Sequence, residues 1–184
     1  MEPLQQQSYN EWLVIRCQQG EKDAFERLLE TWRHRYFLYA LNRLREREAA
    51  QDVTQDCLLS ISRSIYKLSD PAAYPKWSFQ ILERRCLDWL RKRVRERKAM
   101  ESEMADMQAL QDEHTFLSVD TLDSNLTVGQ LLKNLDSRLA TLVRLYYLEA
   151  LSVDEIAEIT GVPTGTVKSR LFYTRKLLSQ IVDT

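Results

Sequence analysis

The side chains with the clearest chemical use lie toward the C-terminal end, in Ser152–Leu178, SVDEIAEITGVPTGTVKSRLFYTRKLL. At about 100° per residue, Lys168, Ser169, Phe172, Tyr173 and Lys176 share one face of a helix that starts near Thr164. Val167, Leu171, Thr174 and Leu178 share the opposite, buried face. Cations meet phosphates, hydroxyls hydrogen-bond base edges, and aromatic rings make apolar contacts, so this face suits non-covalent reading of duplex DNA in a major groove. The same spacing also fits an ordinary helical hairpin with a solvated basic face.

A second group mixes aromatic and cationic side chains in WSFQILERRCLDWLRKRVRERK. There Trp77, Ile81, Arg84, Arg85, Asp88 and Arg91 cover one surface of the expected helix. Rings beside arginines suit single-stranded nucleic acid, because bases stack on rings while cations track the backbone. Core packing is the competing use for the aromatics, and a solvated helix end is the competing use for RKRVRERK; the charge density of that run favours phosphate contact. A third group, Asp52, Gln55 and Asp56, projects outward from AAQDVTQDCLLSISRSI as a compact acidic and amide patch. Such a patch is either a solvated face or a partner contact. The sequence contains no GxxxxGK[ST] loop, GxGxxG, HExxH or paired-cysteine motif, and no constellation for nucleophilic or metal catalysis. It predicts neither enzyme nor cofactor.

The elements that must position these groups are helical. Four Gly and four Pro in 184 residues leave little to break helices. Residues 1–10 look like a frayed polar tail. Glu11–Gln18 gives a short amphipathic helix that Gly20 ends. From Asp23, the residues Phe25, Leu28, Leu29, Trp32, Tyr36, Phe37, Ala40, Leu41 and Leu44 recur at helical spacing as a core stripe. Ala50, Val53, Cys57, Ile61 and Ile65 make the inward face of the next helix. Tyr66–Pro75 forms a loop in which Asp70 is an N-cap and Pro71 takes the first helical position. Phe79, Leu82, Cys86, Trp89 and Leu90 then line a helix from about Tyr74 to Lys98. Residues 99–125 fit an acidic linker. A helix over Leu126–Lys133 opens the second half, and Asp136 caps another that runs through Tyr147. In the hairpin, Ser152 and Glu155 have capping-box spacing, Gly161 ends the first helix, and Pro163 cannot continue it.

The formal net charge is −1, which hides a strong asymmetry. Arg84–Lys98 holds eight Arg or Lys against two acids, whereas 99–132 holds seven acids and neither Lys nor Arg. Local fields rather than totals govern association. Three distant cysteines, Cys17, Cys57 and Cys86, fit buried small hydrophobes in a reducing cytoplasm better than disulfides or metal ligands. There is no signal-peptide pattern and no apolar run of membrane-spanning length, so a cytoplasmic protein without membrane insertion is expected.

Two blocks in this order resemble the extracytoplasmic-function (ECF) group of bacterial RNA polymerase sigma factors. Residues 20–97, with DVTQDCLLSISRSI and AAYPKWSFQILERRCLDWLRKR, are similar to region 2 of that family. Residues 131–178, with LYYLEALSVDEIAEITGVPTGTVKSRLFYTRKLL, are similar to region 4. The resemblance implies an all-α protein of two small domains, 11–98 and 126–184, joined by the acidic linker 99–125. It implies a non-catalytic subunit that binds core RNA polymerase, directs it to a promoter and promotes melting. On that basis Asp52, Gln55 and Asp56 meet the β′ clamp helices, and the second domain meets the β flap. Tyr74, Trp77, Arg84, Arg85, Asp88 and Arg91, with the loop before them, take the −10 element with a base extruded into the loop. Lys168, Ser169, Phe172 and Tyr173 read the −35 element, with Arg175 or Lys176 on phosphates. The linker threads the polymerase channel, and a separate anti-sigma protein is the expected regulator. Position 84 carries Arg where relatives often have Asn, and Tyr173 replaces a frequent Arg, so promoter preferences do not transfer from relatives. The competing reading is a stand-alone helix-turn-helix regulator that binds duplex DNA without polymerase. It uses the Lys168–Lys176 face alike but leaves Asp52, Gln55 and Asp56 without a task.

Overall fold

Helix α1 (Pro3–Gln18) opens the computed structural model, which describes residues 3–103 and 136–182. The helix closes at Gly20, whose φ of +85° is costly for any residue with a Cβ. Residues 3–10 are therefore helical and not the frayed tail that their polarity predicts. The physical reason is tertiary: Asn10 is buried, and Tyr9 packs against the core from α1. Helices α2 (Lys22–Leu44) and α3 (Arg47–Ser64) follow as an antiparallel pair about a left-handed turn at Arg45. Two 3₁₀ turns, Ile65–Lys67 and Pro71–Ala73, form the loop. Asp70 caps the second of them, accepting from the Ala72 N–H at 3.0 Å with Pro71 at the first position. Helix α4 runs from Tyr74 to Glu103, past the expected end near Lys98, because Ala99, Met100 and Glu101 are all good helix formers.

An aromatic block fills the centre of this first half. The Trp32 ring stands 5.7 Å from Tyr36, 5.3 Å from Tyr74 and 6.1 Å from Phe79, and Phe79 also meets Tyr36 and Tyr39. All five side chains are essentially fully buried. Each such side chain stabilises the fold by about 1.5–3 kcal/mol through removal from water, and well-oriented ring pairs add about 0.5–1.5 kcal/mol. The inward α3 residues Ala50, Val53, Cys57, Ile61 and Ile65 are buried as their spacing predicts. Burial pushes the Cys17 thiol up to about 11 and that of Cys57 up to about 12, and Cys86 rises as well. All three cysteines behave as small apolar groups.

The second half contains α5 (Ser137–Val143), a π turn over Arg144–Leu148, α6 (Val153–Thr160) and α7 (Thr164–Val182). Asp136 caps α5 by accepting from the Arg138 and Leu139 N–H groups at 3.0 and 3.4 Å. The capping box is complete: the Glu155 N–H donates to Ser152 Oγ, and the Ser152 N–H donates to Glu155 Oε2. Gly161 has φ +68° and its N–H donates to the Ala157 carbonyl. No atom would clash with a Cβ there, so Gly161→Ala isolates the backbone cost. The substitution is expected to destabilise the chain by ~1 kcal/mol in chemical denaturation, without disturbing the exposed face of α7. The helix expected over Leu126–Lys133 and most of the linker lie outside the described residues.

Val167, Leu171 and Thr174 of α7 are buried against α5 and α6. Leu142, Leu145, Ile156, Ile159, Val167 and Leu171 belong to one continuous apolar cluster with Leu28 and Phe79 of the first half. Two ion pairs cross the same seam, Arg35–Glu149 at 3.3 Å and Lys76–Glu158 at 2.5 Å.

Candidate nucleic-acid interface

On α3 a strict alternation of faces sets the first surface. Val53, Cys57 and Ile61 turn inward, which leaves Asp52, Gln55 and Asp56 exposed together with Leu59. Asp56 also anchors its own helix, since its carbonyl accepts from Ser60 Oγ at 2.7 Å. The result is an acidic and amide patch with an apolar side chain one turn on, held on a helix whose opposite face is fully packed.

Helix α4 sets the second surface. Phe79, Leu82 and Cys86 are buried, and the opposite side carries Trp77, Arg84, Asp88 and Arg91. Trp77 and Ile81 are half-buried and packed on the core edge. Arg91 Nη1 pairs with Asp88 at 3.3 Å, so Asp88 offsets part of the positive charge of the row. Arg85 leaves that row for the flank facing α3, where its Nη2 donates to Ser60 Oγ at 2.9 Å. Further along, Arg93 lies 5.0 Å over the Trp89 ring and pairs with Glu46.

Tyr74 is the exception among the expected −10 residues. It is 0% exposed, its hydroxyl is 3.1 Å from that of Tyr36, and its ring contacts Trp32 and Trp77. A phenol at the first turn of α4 is better stabilised by an aromatic pocket than by water. Tyr74 is thus a core residue that sets the direction of the loop and the seat of Trp77, and it does not face nucleic acid.

Behind α4 lies a network the sequence did not point to. Glu83 is buried between α2 and α4, accepting from Tyr39 Oη at 2.9 Å and from Arg43 Nε at 3.1 and 3.3 Å. Burial raises its carboxyl above the ordinary range, against the opposing pull of the Arg43 charge. The network fixes the rotation of α4 and hence the outward aim of Trp77 and Arg84.

The third surface is α7. Lys168, Ser169, Phe172, Tyr173 and Lys176 are all exposed, Phe172 at 71%. Ser169 Oγ donates to the Thr166 carbonyl at 3.0 Å, which leaves its oxygen available as an acceptor. Arg175 is turned toward the π turn, and its Nε donates to the Tyr147 hydroxyl at 3.3 Å. Tyr147 itself is exposed, standing edge-on to Tyr146 at 4.9 Å. The three groups therefore lie on three helices, and those of α3 and α4 adjoin at the Arg85–Ser60 hydrogen bond. Among the described residues no cluster of His, Cys, Asp or Glu could hold a metal ion, and no helix is long and apolar enough to cross a membrane.

A sigma-70 region 2 model matches residues 25–96, and a sigma-70 region 4 model matches residues 126–178. The ECF RNA polymerase sigma-E factor of Haemophilus influenzae is 31% identical over 188 residues, covering 98% of each chain. This chain belongs to the ECF group of sigma-70 factors. It is a sigma factor, of a family that directs RNA polymerase to promoters and is itself non-catalytic. The RNA polymerase sigma-H factor of Pseudomonas aeruginosa is 25% identical over 184 residues, covering 96% of this chain and 95% of that one. Two solved structures share the fold. The sigma factor RpoE bound to the anti-sigma factor NepR, from Bartonella quintana, has a TM-score of 0.62 at 22% identity, covering 89% of this chain and 99% of that one. CnrH bound to the cytosolic domain of CnrY has a TM-score of 0.58 at 18% identity, covering 95% and 97%.

The region 2 match contains most of α2, all of α3 and most of α4, and the region 4 match contains α5, α6 and most of α7. Two elements beside the exposed surfaces escape sequence reasoning. One is Lys76, next to Trp77, which lies against the other half of the chain. The other is α1, whose C-terminal Gln18 donates to the Ile65 and Leu68 carbonyls and so holds the loop in place.

Proposed function

We propose that each of the three surfaces serves one step of promoter-directed initiation. Asp52, Gln55 and Asp56 bind the β′ clamp helices of core RNA polymerase. Trp77, Arg84, Arg85, Asp88 and Arg91 receive the −10 element as it melts, and the loop capped by Asp70 takes an extruded base. Lys168, Ser169, Phe172 and Tyr173 read the −35 element, with Lys176 and Arg175 on flanking phosphates, and the second domain contacts the β flap. An anti-sigma protein holds the factor inactive; the neighbouring complexes with NepR and CnrY support this regulator.

The single observation that carries the reading is the separation of chemistries. An acidic and amide patch on α3 and a cationic, hydroxyl-bearing face on α7 are exposed, and α4 carries exposed Arg84, Asp88 and Arg91 beside a half-buried Trp77. Unstacking bases costs a few kcal/mol, and rings with adjacent cations return it. A duplex-reading helix alone needs neither the α3 patch nor the α4 row. The test is transcription by core polymerase reconstituted with the purified chain on genomic DNA, with start sites mapped. Starts that share two upstream elements support the reading, and a chain that never binds core polymerase refutes it.

The −35 assignment has its own check. Lys176→Ala is expected to weaken binding of duplex DNA almost uniformly across sequences. It should also reduce the slope of log affinity against log salt by about 1, as loss of one phosphate contact requires. A change confined to one base position would instead make Lys176 a base reader.

A further inference from the structure

The geometry points to Arg85 as a residue of the polymerase-docking surface, held there by Ser60, so that one patch spans the groove between α3 and α4. This rests on the core-binding reading of Asp52, Gln55 and Asp56, and it gives Arg85 a task besides the one at the −10 element. Two hydrogen bonds carry it. Arg85 Nη2 donates to Ser60 Oγ at 2.9 Å, and the same Ser60 Oγ donates to the Asp56 carbonyl at 2.7 Å. Ser60 thereby ties an arginine of α4 to the backbone of a residue in the acidic patch. At about 100° per residue, Ser60 stands about 40° round α3 from Asp56, on the side that meets Arg85. The guanidinium hangs over α3, and its charge reaches the buried Cys57 thiol there.

The charge at this position is uncommitted. Arg43 pairs with Glu83, Arg91 with Asp88 and Arg93 with Glu46. Arg85 has no carboxylate partner among the described residues, and its hydrogen-bond partner is a neutral hydroxyl. A hydroxyl fixes a guanidinium without neutralising it, and most of the N–H donors of Arg85 stay unspent. Exposed and anchored in this way, the group fits a carboxylate in the two-pronged geometry that arginine favours. Ser60 decides where that charge is offered. Without its hydroxyl, the Arg85 side chain is free to turn back toward Arg84 and Asp88.

The composite patch has a direction. Asp52 and Asp56 stand at one end, Leu59 is exposed at the middle, and Arg63 and Arg85 add cations beyond it. A clamp helix lying along α3 must then offer cations to the two acids and a carboxylate to Arg85. Acids alone accept a basic helix in several registers. Opposite charges in a fixed order accept one, because a slipped or reversed helix sets like charges against each other. Arg85 is thus the contact residue that sets the register of docking, and Ser60 is the positioning residue behind it.

The test measures binding of labelled core polymerase to the full chain with no DNA present, which removes the −10 task from the readout. Arg85→Ala is expected to bind about 5- to 30-fold more weakly, the scale of a partly desolvated charge contact. Ser60→Ala keeps every charge and should lose about two- to five-fold, the scale of one hydrogen bond. Ser60→Thr keeps the hydroxyl and should bind as the unaltered chain does. In the Arg85→Ala background Ser60→Ala should cost nothing further, because the group it positions is gone. Unchanged core binding by Arg85→Ala overturns the proposal. A Ser60→Ala loss of equal size in both backgrounds overturns it too, since Ser60 would then act without Arg85. Failure of the core-binding reading itself looks different: Asp56→Arg would also bind core polymerase normally.

Discussion

Asp56→Arg is expected to reduce affinity for core RNA polymerase by about 30- to 1000-fold and to abolish promoter-specific transcription at moderate factor concentrations. The magnitude follows from reversing a charge that docking desolvates, which costs about 2–4 kcal/mol. The fold has little stake in the substitution. The Asp56 side chain is exposed, and the structural contact at this position is made by the backbone carbonyl that accepts from Ser60. The unfolding midpoint should therefore stay within about 0.5 kcal/mol of the unaltered chain. Asp52→Arg should act in the same direction, and the two need not add, since the residues lie one turn apart on a single contact. Binding is measured directly with labelled core polymerase, and stability with denaturant on the same samples. A variant that binds core normally would sink the clamp assignment. Normal binding together with unaltered recognition of duplex DNA would favour the stand-alone regulator, which has no use for this patch.

What could be read from the sequence was whatever the chain decides locally. The hairpin of α6 and α7 is set by Ser152, Glu155, Gly161 and Pro163, all within one or two turns of the groups they control, and each behaves as its type requires. The outward patch on α3 was equally legible, because five inward residues at helical spacing leave Asp52, Gln55 and Asp56 nowhere else to go. Legibility fails where a neighbour in space decides. A tyrosine before Pro75 looks like a loop residue until Trp32 and Tyr36 are seen to enclose it. Residues 3–10 look like a tail because their helix is stabilised by contacts of Tyr9 and Asn10 with other elements, and no local signal announces this. By angle alone Arg85 shares the α4 row, yet Ser60 draws it to the flank. The seam lay beyond reach for the same reason: Arg35 and Glu149 are 114 positions apart, and periodicity carries no information at that separation.

Glu83→Ala is expected to destabilise the first domain by about 3–5 kcal/mol, the largest effect of any single substitution considered. Removing the carboxylate leaves the buried Tyr39 hydroxyl and the partly buried Arg43 Nε without their acceptor. Glu83→Gln keeps one acceptor and the side-chain shape, so it should cost less, about 1–3 kcal/mol. The pH dependence separates the charge from the packing. Burial raises the Glu83 carboxyl above its unfolded value, so between those two values the folded chain binds more protons than the unfolded one. The contribution of Glu83 is then fully present below the unfolded value and is lost as pH rises through the folded one. Glu83→Gln removes that slope, and urea titrations at several pH values would show it; an unchanged slope would mean that another group carries it. A raised carboxyl also means that the ionised network is no net source of stability compared with an apolar replacement. Combining Glu83→Met with Arg43→Met and Tyr39→Phe should accordingly recover most of the lost stability. Stability without register would then become visible, because α4 would be free to rotate and Trp77 and Arg84 would lose their fixed outward aim. That triple variant should fold and bind core polymerase yet open promoters poorly. Full promoter opening by it would show that packing alone, without the polar network, orients the melting surface.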